Sequence, residues 1–313
     1  MTRLKIRLFG QISVQQDEQP LSGLSTKALE LLCYLLLHRE RGHTREALAG
    51  LFWPEAPDSL SKKYLRQAIW RLHSTVATRA EPAQELLIVR PGWIHVNPEA
   101  AWWLDVAAFE QAYDLYRDTP GRDLTDGQTQ TLEAAVVLYS GDLIEAWYQD
   151  WCIYERDRLK LIYLAMLEQL MSHCEVRRRY ARGIAYGQCI LRHDPARECT
   201  YRQLMRLYYQ SGDRTTALRQ YDRCAAAMAK HFSLPPSRET VAVYQQVRGD
   251  HLEDLARQAA RPGGEPGSDL LIALHTRLDH IQASLTDLQR QVEQELAPVS
   301  RLLTAPRETS EAR

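Results

Sequence analysis

Residues 59–80 read SLSKKYLRQAIWRLHSTVATRA, and the reading of this stretch decides the fold. It holds Lys62, Lys63, Arg66, Arg71 and Arg79, with no acidic residue between Asp58 and Glu81. At about 100° per residue, Leu65, Ala68, Ile69, Leu72 and Val76 share one face of a helix. Lys63, Gln67, Trp70, Arg71 and Ser74 lie opposite, with Lys62, Tyr64 and Arg66 towards the flanks. Such a helix buries one side and presents a basic, hydrogen-bonding side, the footprint of a nucleic-acid contact. Taken alone, the pattern also fits a solvated surface helix, so its neighbours decide.

Upstream, Leu4, Ile6 and Leu8 alternate with Lys5 and Arg7, and Ile12 and Val14 continue after Phe9-Gly10. This predicts an antiparallel hairpin or meander, with a third short strand at Gln19 to Leu21. From Ser25 the period changes, and Leu29, Leu32, Cys33 and Leu36 predict a helix ending near His38. Thr44 is an N-cap for a second short helix with Glu46 in its first turn, ended by Pro54 and Pro57. Ser59 or Ser61 is expected to cap the basic helix. Downstream, LLIVRPGWIHV (86–96) places two β runs around Arg90-Pro91-Gly92, a turn with glycine where a positive φ is wanted. Strands, three helices with the third basic, and a hairpin describe a winged helix-turn-helix, in which the third helix enters the major groove. Lys62, Lys63, Arg66, Arg90 and Thr44 are then the candidate phosphate contacts. Gln67, Trp70, Arg71 and Ser74 are the base-reading candidates, Arg and Gln being capable of bidentate contacts. Trp70 is unusual in that role, the alternatives being packing on a sugar or a place at the edge of a protein contact. His43, His73 and His95 lack metal-ligand spacing and are expected to pack or to touch DNA.

The segments KALELLCYLLLHRERGHTREALAGLFWPEAP, LRQAIWRLHSTV and LLIVRPGWIHVNP resemble the DNA-binding domain of the Streptomyces antibiotic regulatory protein family. LFWP and the L-R-x-A-x-x-R-L pattern are its most specific parts. LYSGDLIEAWYQDWCIYERDRLKLIYLAMLEQL resembles the bacterial transcriptional activator domain that follows in that family, through Gly141-Asp142-Leu143, Trp147, Asp150, Trp151, Glu155-Arg156 and Arg158-Leu159. LPPSRETVAVYQQV (234–247) extends the likeness, which in all spans roughly residues 3 to 248. The resemblance implies a DNA-binding activator that reads a repeat-type site in double-stranded DNA and contacts RNA polymerase or a sigma factor.

Independently of any family, Leu170, Met171, Cys174, Gly183 and Ile184 recur 34 positions on as Leu204, Met205, Tyr208, Ala217 and Leu218. That is the period of tetratricopeptide helix pairs, which stack into a solenoid with a groove. Gly183 and Ala217 are expected to let paired helices approach closely. The fold class is thus mainly α: a winged helix-turn-helix (1–98), a tetratricopeptide-like helical domain (99–250), a Pro/Gly-rich linker (251–269), a coiled coil (270–298) and a tail expected to be disordered (299–313). The coil follows from Leu271, Leu274, Leu278, Ile281, Leu285, Leu288 and Val292 at heptad spacing. Self-association through it is expected, with docking on the solenoid as the alternative.

Composition fits a soluble globular chain, with 45% hydrophobic and 25% charged residues. Up to Pro98 there are 13 Lys and Arg against 9 Asp and Glu, net +4, whereas the remainder carries 26 against 31, net −5. The basic front suits nucleic acid. Six dispersed cysteines form no C-x-x-C pair, so no zinc site is expected. Nor is there a signal-peptide pattern or a run apolar enough to cross a bilayer, which points to the bacterial cytoplasm, on the nucleoid when DNA-bound. The phosphate-loop, dinucleotide and nucleophile-elbow motifs are missing, so no enzyme activity and no cofactor is expected. Neither the nucleotide-hydrolysing module of some larger relatives nor a receiver domain is expected from the motifs in these residues. The rival readings are a tetratricopeptide-type interaction scaffold and a ligand-responsive sensor with weak or no DNA binding.

Overall fold

The structure, a computed structural model, describes residues 4–76 and 85–250. The linker, the heptad segment with Leu271 to Val292, the tail and Arg79 lie outside the described residues.

The N-terminal strands form as the alternation predicts. β1 (Leu4–Arg7) pairs antiparallel with β2 (Ser13–Gln16), Ile6 opposite Val14, and β3 (Gln19–Pro20) adds to β2. Helix α1 (Thr26–Leu37) is capped by the Ser25 hydroxyl, which accepts from the Ala28 amide. β4 (His43–Thr44) leads into α2 (Arg45–Phe52), whose first turn is capped by Thr44, accepting from Ala47 at 3.2 Å. The basic helix α3 spans Asp58–Val76. Neither Ser59 nor Ser61 caps it. Pro57, whose fixed φ suits a first helical turn, starts the helix earlier, and its carbonyl accepts from Leu60 and Ser61. Ser61 is buried and donates to the Asp58 carbonyl. Next, β5 (Leu87–Arg90) and β6 (Trp93–Val96) form the hairpin, and β4 joins it to give the order β4-β6-β5. Gly92 holds φ +80° at its tip, a conformation that side-chain-bearing residues rarely adopt.

A further strand, β7 (Trp102–Leu104), pairs parallel with β1 and closes the order β3-β2-β1-β7. Three residues are too few to show alternation, and the partner lies almost a hundred positions back. Helix α4 (Asp105–Tyr116) follows at once. Asp105 is buried, and its carboxylate accepts from the amides of Leu8 (2.9 Å), Phe9 (3.0 Å) and Val106 (2.8 Å). Burial raises its pKa above the usual carboxylate value, and the three amide bonds oppose that rise. The chain just beyond the end of β1 is thereby fastened to the first turn of α4.

Helix α5 (Asp126–Leu138) opens on a capping box between Thr125 and Gln128. Two helix pairs follow, α6 (Asp150–Val176) with α7 (Tyr180–His193) and α8 (Glu198–Gln210) with α9 (Arg214–Phe232), then α10 (Arg238–Gly249). The 34-residue repeat is these pairs: Leu170, Met171 and Cys174 are buried on α6, and Leu204 and Met205 on α8. Gly183 sits at the close approach, where a Cβ would stand 3.1 Å from Leu207 and 3.2 Å from Cys174, and at Gly187 a Cβ would stand only 2.7 Å from Met171 and 2.8 Å from Leu204.

One apolar core runs from Leu4 through Leu36, Leu72, Phe109 and Leu170 to Leu207. Helix α1 explains this continuity. Leu31, Leu32, Cys33, Leu35, Leu36 and Leu37 are all buried, so beyond its exposed first turn the helix is covered on every side rather than along the single stripe predicted. Tyr34 meets Phe52 of α2 and Trp151 of α6, with ring centroids 5.6 and 5.5 Å apart. The Arg156 guanidinium turns inward and donates to the carbonyls of Leu143, Ile144 and Trp147. It thus steadies a loop in which Ile144 adopts φ +46°, a costly conformation for a β-branched residue. That loop bridges to the chain just beyond β1, Leu143 pairing with Phe9. Glu110 of α4 links Arg39, just beyond α1, with Arg158 of α6. The winged helix and the helical domain therefore share a core and a polar seam.

Candidate nucleic-acid interface

Helices α2 and α3, joined by residues 53–57, make the helix-turn-helix. Leu65, Ala68, Ile69 and Leu72 anchor α3 in the core. The wheel then dictates the outward side: Lys63, Gln67, Trp70 and Ser74 occupy its centre, Arg66 one flank, and Tyr64 and Arg71 the other. All seven are exposed. Trp70 is 67% exposed, an unusual position for so large an apolar ring.

The candidate cations differ in their freedom. Lys62 is held by Asp58 at 2.9 Å, with Glu46 at 3.9 Å, and the Asp58 hydrogen bond raises its ammonium pKa. Among the described residues no carboxylate pairs with Lys63, Arg66, Arg71 or Arg90. Ser74 spends its hydroxyl proton on the Arg71 carbonyl at 3.0 Å, which leaves its lone pairs to accept. The Thr44 hydroxyl oxygen is engaged at the α2 cap, and its proton remains to donate.

On the wing, Arg90 lies opposite Trp93 in the register beside the turn, and Trp93 is 47% exposed. The Arg45 amide donates to the Gly92 carbonyl at 3.0 Å, fixing the wing tip to the start of α2. Of the histidines, His43 is buried, with its Nε2 3.1 Å from the His38 carbonyl. Burial lowers the pKa of His43 and of His38. His43 therefore packs. His73 sits 3.5 Å from Glu85, and His95 stacks under Trp93.

The sequence reading missed a cleft on one flank of α3. Ser25 and Lys27 of the first-helix region, Trp53, and Tyr64, Gln67, Ala68 and Arg71 line it. The Trp53 and Tyr64 rings stand 6.1 Å apart at 43°. The signal available was LFWP, whose tryptophan follows α2 at a position where a helix stop alone needs no aromatic ring. Among the described residues no cluster of His, Cys, Asp or Glu could hold a metal ion, and no helix is long and apolar enough to cross a membrane.

Residues 104–248 match the family described as bacterial transcriptional activator domain. Among solved structures, Mycobacterium tuberculosis EmbR, in complex with a low-affinity phosphopeptide, has a similar fold, with a TM-score of 0.62 and 20% sequence identity. The likeness covers 80% of this chain and 66% of that one, so this chain spans just under two thirds of the matched chain's length. At that identity the likeness concerns the fold alone. No curated protein matches the chain.

Proposed function

We propose that this chain, a transcriptional regulator similar to the Streptomyces antibiotic regulatory proteins and carrying a bacterial transcriptional activator domain over residues 104–248, activates transcription by binding a specific double-stranded DNA site. The observation that carries the reading is the outward side of α3. Lys63, Arg66 and Arg71 are exposed there, free of carboxylate partners among the described residues, beside exposed Gln67 and Trp70. Phosphates attract the cations whatever the sequence, whereas base edges in the major groove discriminate among Gln67, Trp70, Arg71 and Ser74 contacts. Arg90 on the wing and Thr44 at the α2 start add backbone contacts, with Lys62 a weaker one because Asp58 competes for it.

The helical domain, in this reading, contacts RNA polymerase or a sigma factor while the winged helix holds the promoter. The shared core around α1 supports this division of labour, because it fixes the orientation of the two parts. Self-association on a repeat-type site, through Leu271 to Val292, belongs to the same proposal. Two chains then reach half-sites about one helical turn, roughly 34 Å, apart. Selection of genomic fragments with the full chain tests the reading. A single motif repeated at fixed spacing is expected, and recovery of fragments with no shared motif overturns it.

A further inference from the structure

We infer that the cleft between the start of α1 and the flank of α3 is a seat for one sugar–phosphate unit of the DNA backbone, with Lys27 as its cation. This inference rests on the DNA-binding reading above and adds Lys27, Tyr64 and Trp53 to the contacts. Three observations converge on it.

The first is position. Gln67 and Arg71 belong both to the outward side of α3 and to the cleft lining. A duplex whose bases face Gln67 and Trp70 must carry a backbone past one flank of the helix, and the cleft lies on the Tyr64–Arg71 flank. The second is chemistry. The Trp53 and Tyr64 rings, 6.1 Å apart, form an apolar wall, and Tyr64 keeps 40% of its surface exposed although it packs beside Trp53. Deoxyribose offers an apolar face to such a wall, while its phosphate needs a cation within reach. Lys27, from the start of α1, lines the cleft and supplies it.

The third is how Lys27 is held. Its ammonium lies 2.7 Å from a carboxylate oxygen of Glu30, one turn further along α1, and the Glu30 side chain is almost fully buried. The Lys27 side chain stays about half exposed. Glu30 fixes the direction of the ammonium and uses one of its three donors. The other two remain for a phosphate oxygen. The Ser25 oxygen caps the Ala28 amide, and its hydroxyl proton remains to donate.

The test uses the full chain and a fluorescent random-sequence duplex, with affinity measured from about 50 to 200 mM salt. Because Lys27→Gln alone strands a buried carboxylate, the working variant is Lys27→Gln with Glu30→Gln, checked by its thermal melt. Loss of one phosphate contact is expected to reduce the slope of log K against log salt by about 0.9, equally on every sequence. Tyr64→Ala is expected to weaken binding roughly threefold to tenfold with the slope unchanged, because it removes apolar contact and no charge. If the wild-type chain shows salt-dependent binding and both variants match it in slope and affinity, the seat is refuted while the DNA-binding reading stands. If the wild type itself shows no salt-dependent binding, both fail. A Lys27 effect confined to one DNA sequence also overturns the seat, because it marks a base contact.

Discussion

Replacing Asp105 by alanine tests whether the winged helix and the helical domain are one structure. The carboxylate satisfies three backbone amides, and those of Leu8 and Phe9 belong to the strand side of the junction. A buried amide left without a partner costs about 1–3 kcal/mol. Three orphans set the scale of the loss. Against it stands the relief from removing a desolvated carboxylate, the same burial that raises its pKa. The net expectation is a loss of about 2–4 kcal/mol, with Asp105→Asn near the lower end because one oxygen remains to accept. Urea unfolding of the full chain, followed by tryptophan fluorescence, reads this as a fall in midpoint. Trp53 and Trp93 report on the winged helix, and Trp147 and Trp151 on the helical domain. All are expected to lose their native signal in the same transition, because α1 is core to both parts. A midpoint shift no larger than that of the exposed control Asp157→Ala would refute the role assigned to Asp105.

Other outcomes follow from the same geometry. Arg71→Ala is expected to cost about 1–3 kcal/mol on the best site and little on random DNA, measured by competition with mutated duplexes. Lys63→Ala should weaken binding on all sequences alike, and a loss confined to one sequence contradicts a phosphate role. His38, His43 and His193 are held by burial below their ordinary value of 6.5. A depressed folded pKa contributes stability above the unfolded value and loses it as pH falls through the folded one. Denaturation midpoints should therefore drop as pH is lowered from about 6.5, and flat midpoints from pH 7 to 5 contradict this. Deleting residues 271–313 is expected to lower the number of chains per particle seen by light scattering, and an unchanged number contradicts association through the heptad leucines.

The winged helix was legible because its signals are local. Alternation in Leu4 to Leu8, the Ser25 and Thr44 caps, and Arg90-Pro91-Gly92 each act within a few residues. The face of α3 was legible for the same reason: the burial of Leu65, Ala68, Ile69 and Leu72 follows from helical period alone. Its starting point was misjudged because serine is a common cap, whereas Pro57 sets the turn one step earlier. What stayed hidden depends on distant partners. β7 is three residues whose strand character comes from β1. Burial of α1 on every side beyond its first turn needs a second domain packed on its outer side, which no period in α1 records. Arg156 carried the family likeness with no structural role attached, because the three carbonyls it points inward at belong to a loop several residues before it. The cleft beside α3 escaped notice because Lys27, Trp53 and Tyr64 come from separate segments and meet only in the fold.

That α3 lies against a duplex is tested most directly by the salt dependence of binding by the full-length chain. On the proposed reading, Lys63, Arg66, Arg90 and the partly engaged Lys62 would neutralise about four phosphates per chain, and Lys27 a fifth. The predicted slope of log K against log salt is then about −3 to −5 per chain. Double substitution of Lys63 and Arg66 by alanine is expected to bring it closer to zero by about 1.8. A wild-type slope near zero, or a steep slope that this pair of substitutions leaves unchanged, would contradict the assignment of α3 as the DNA-binding surface.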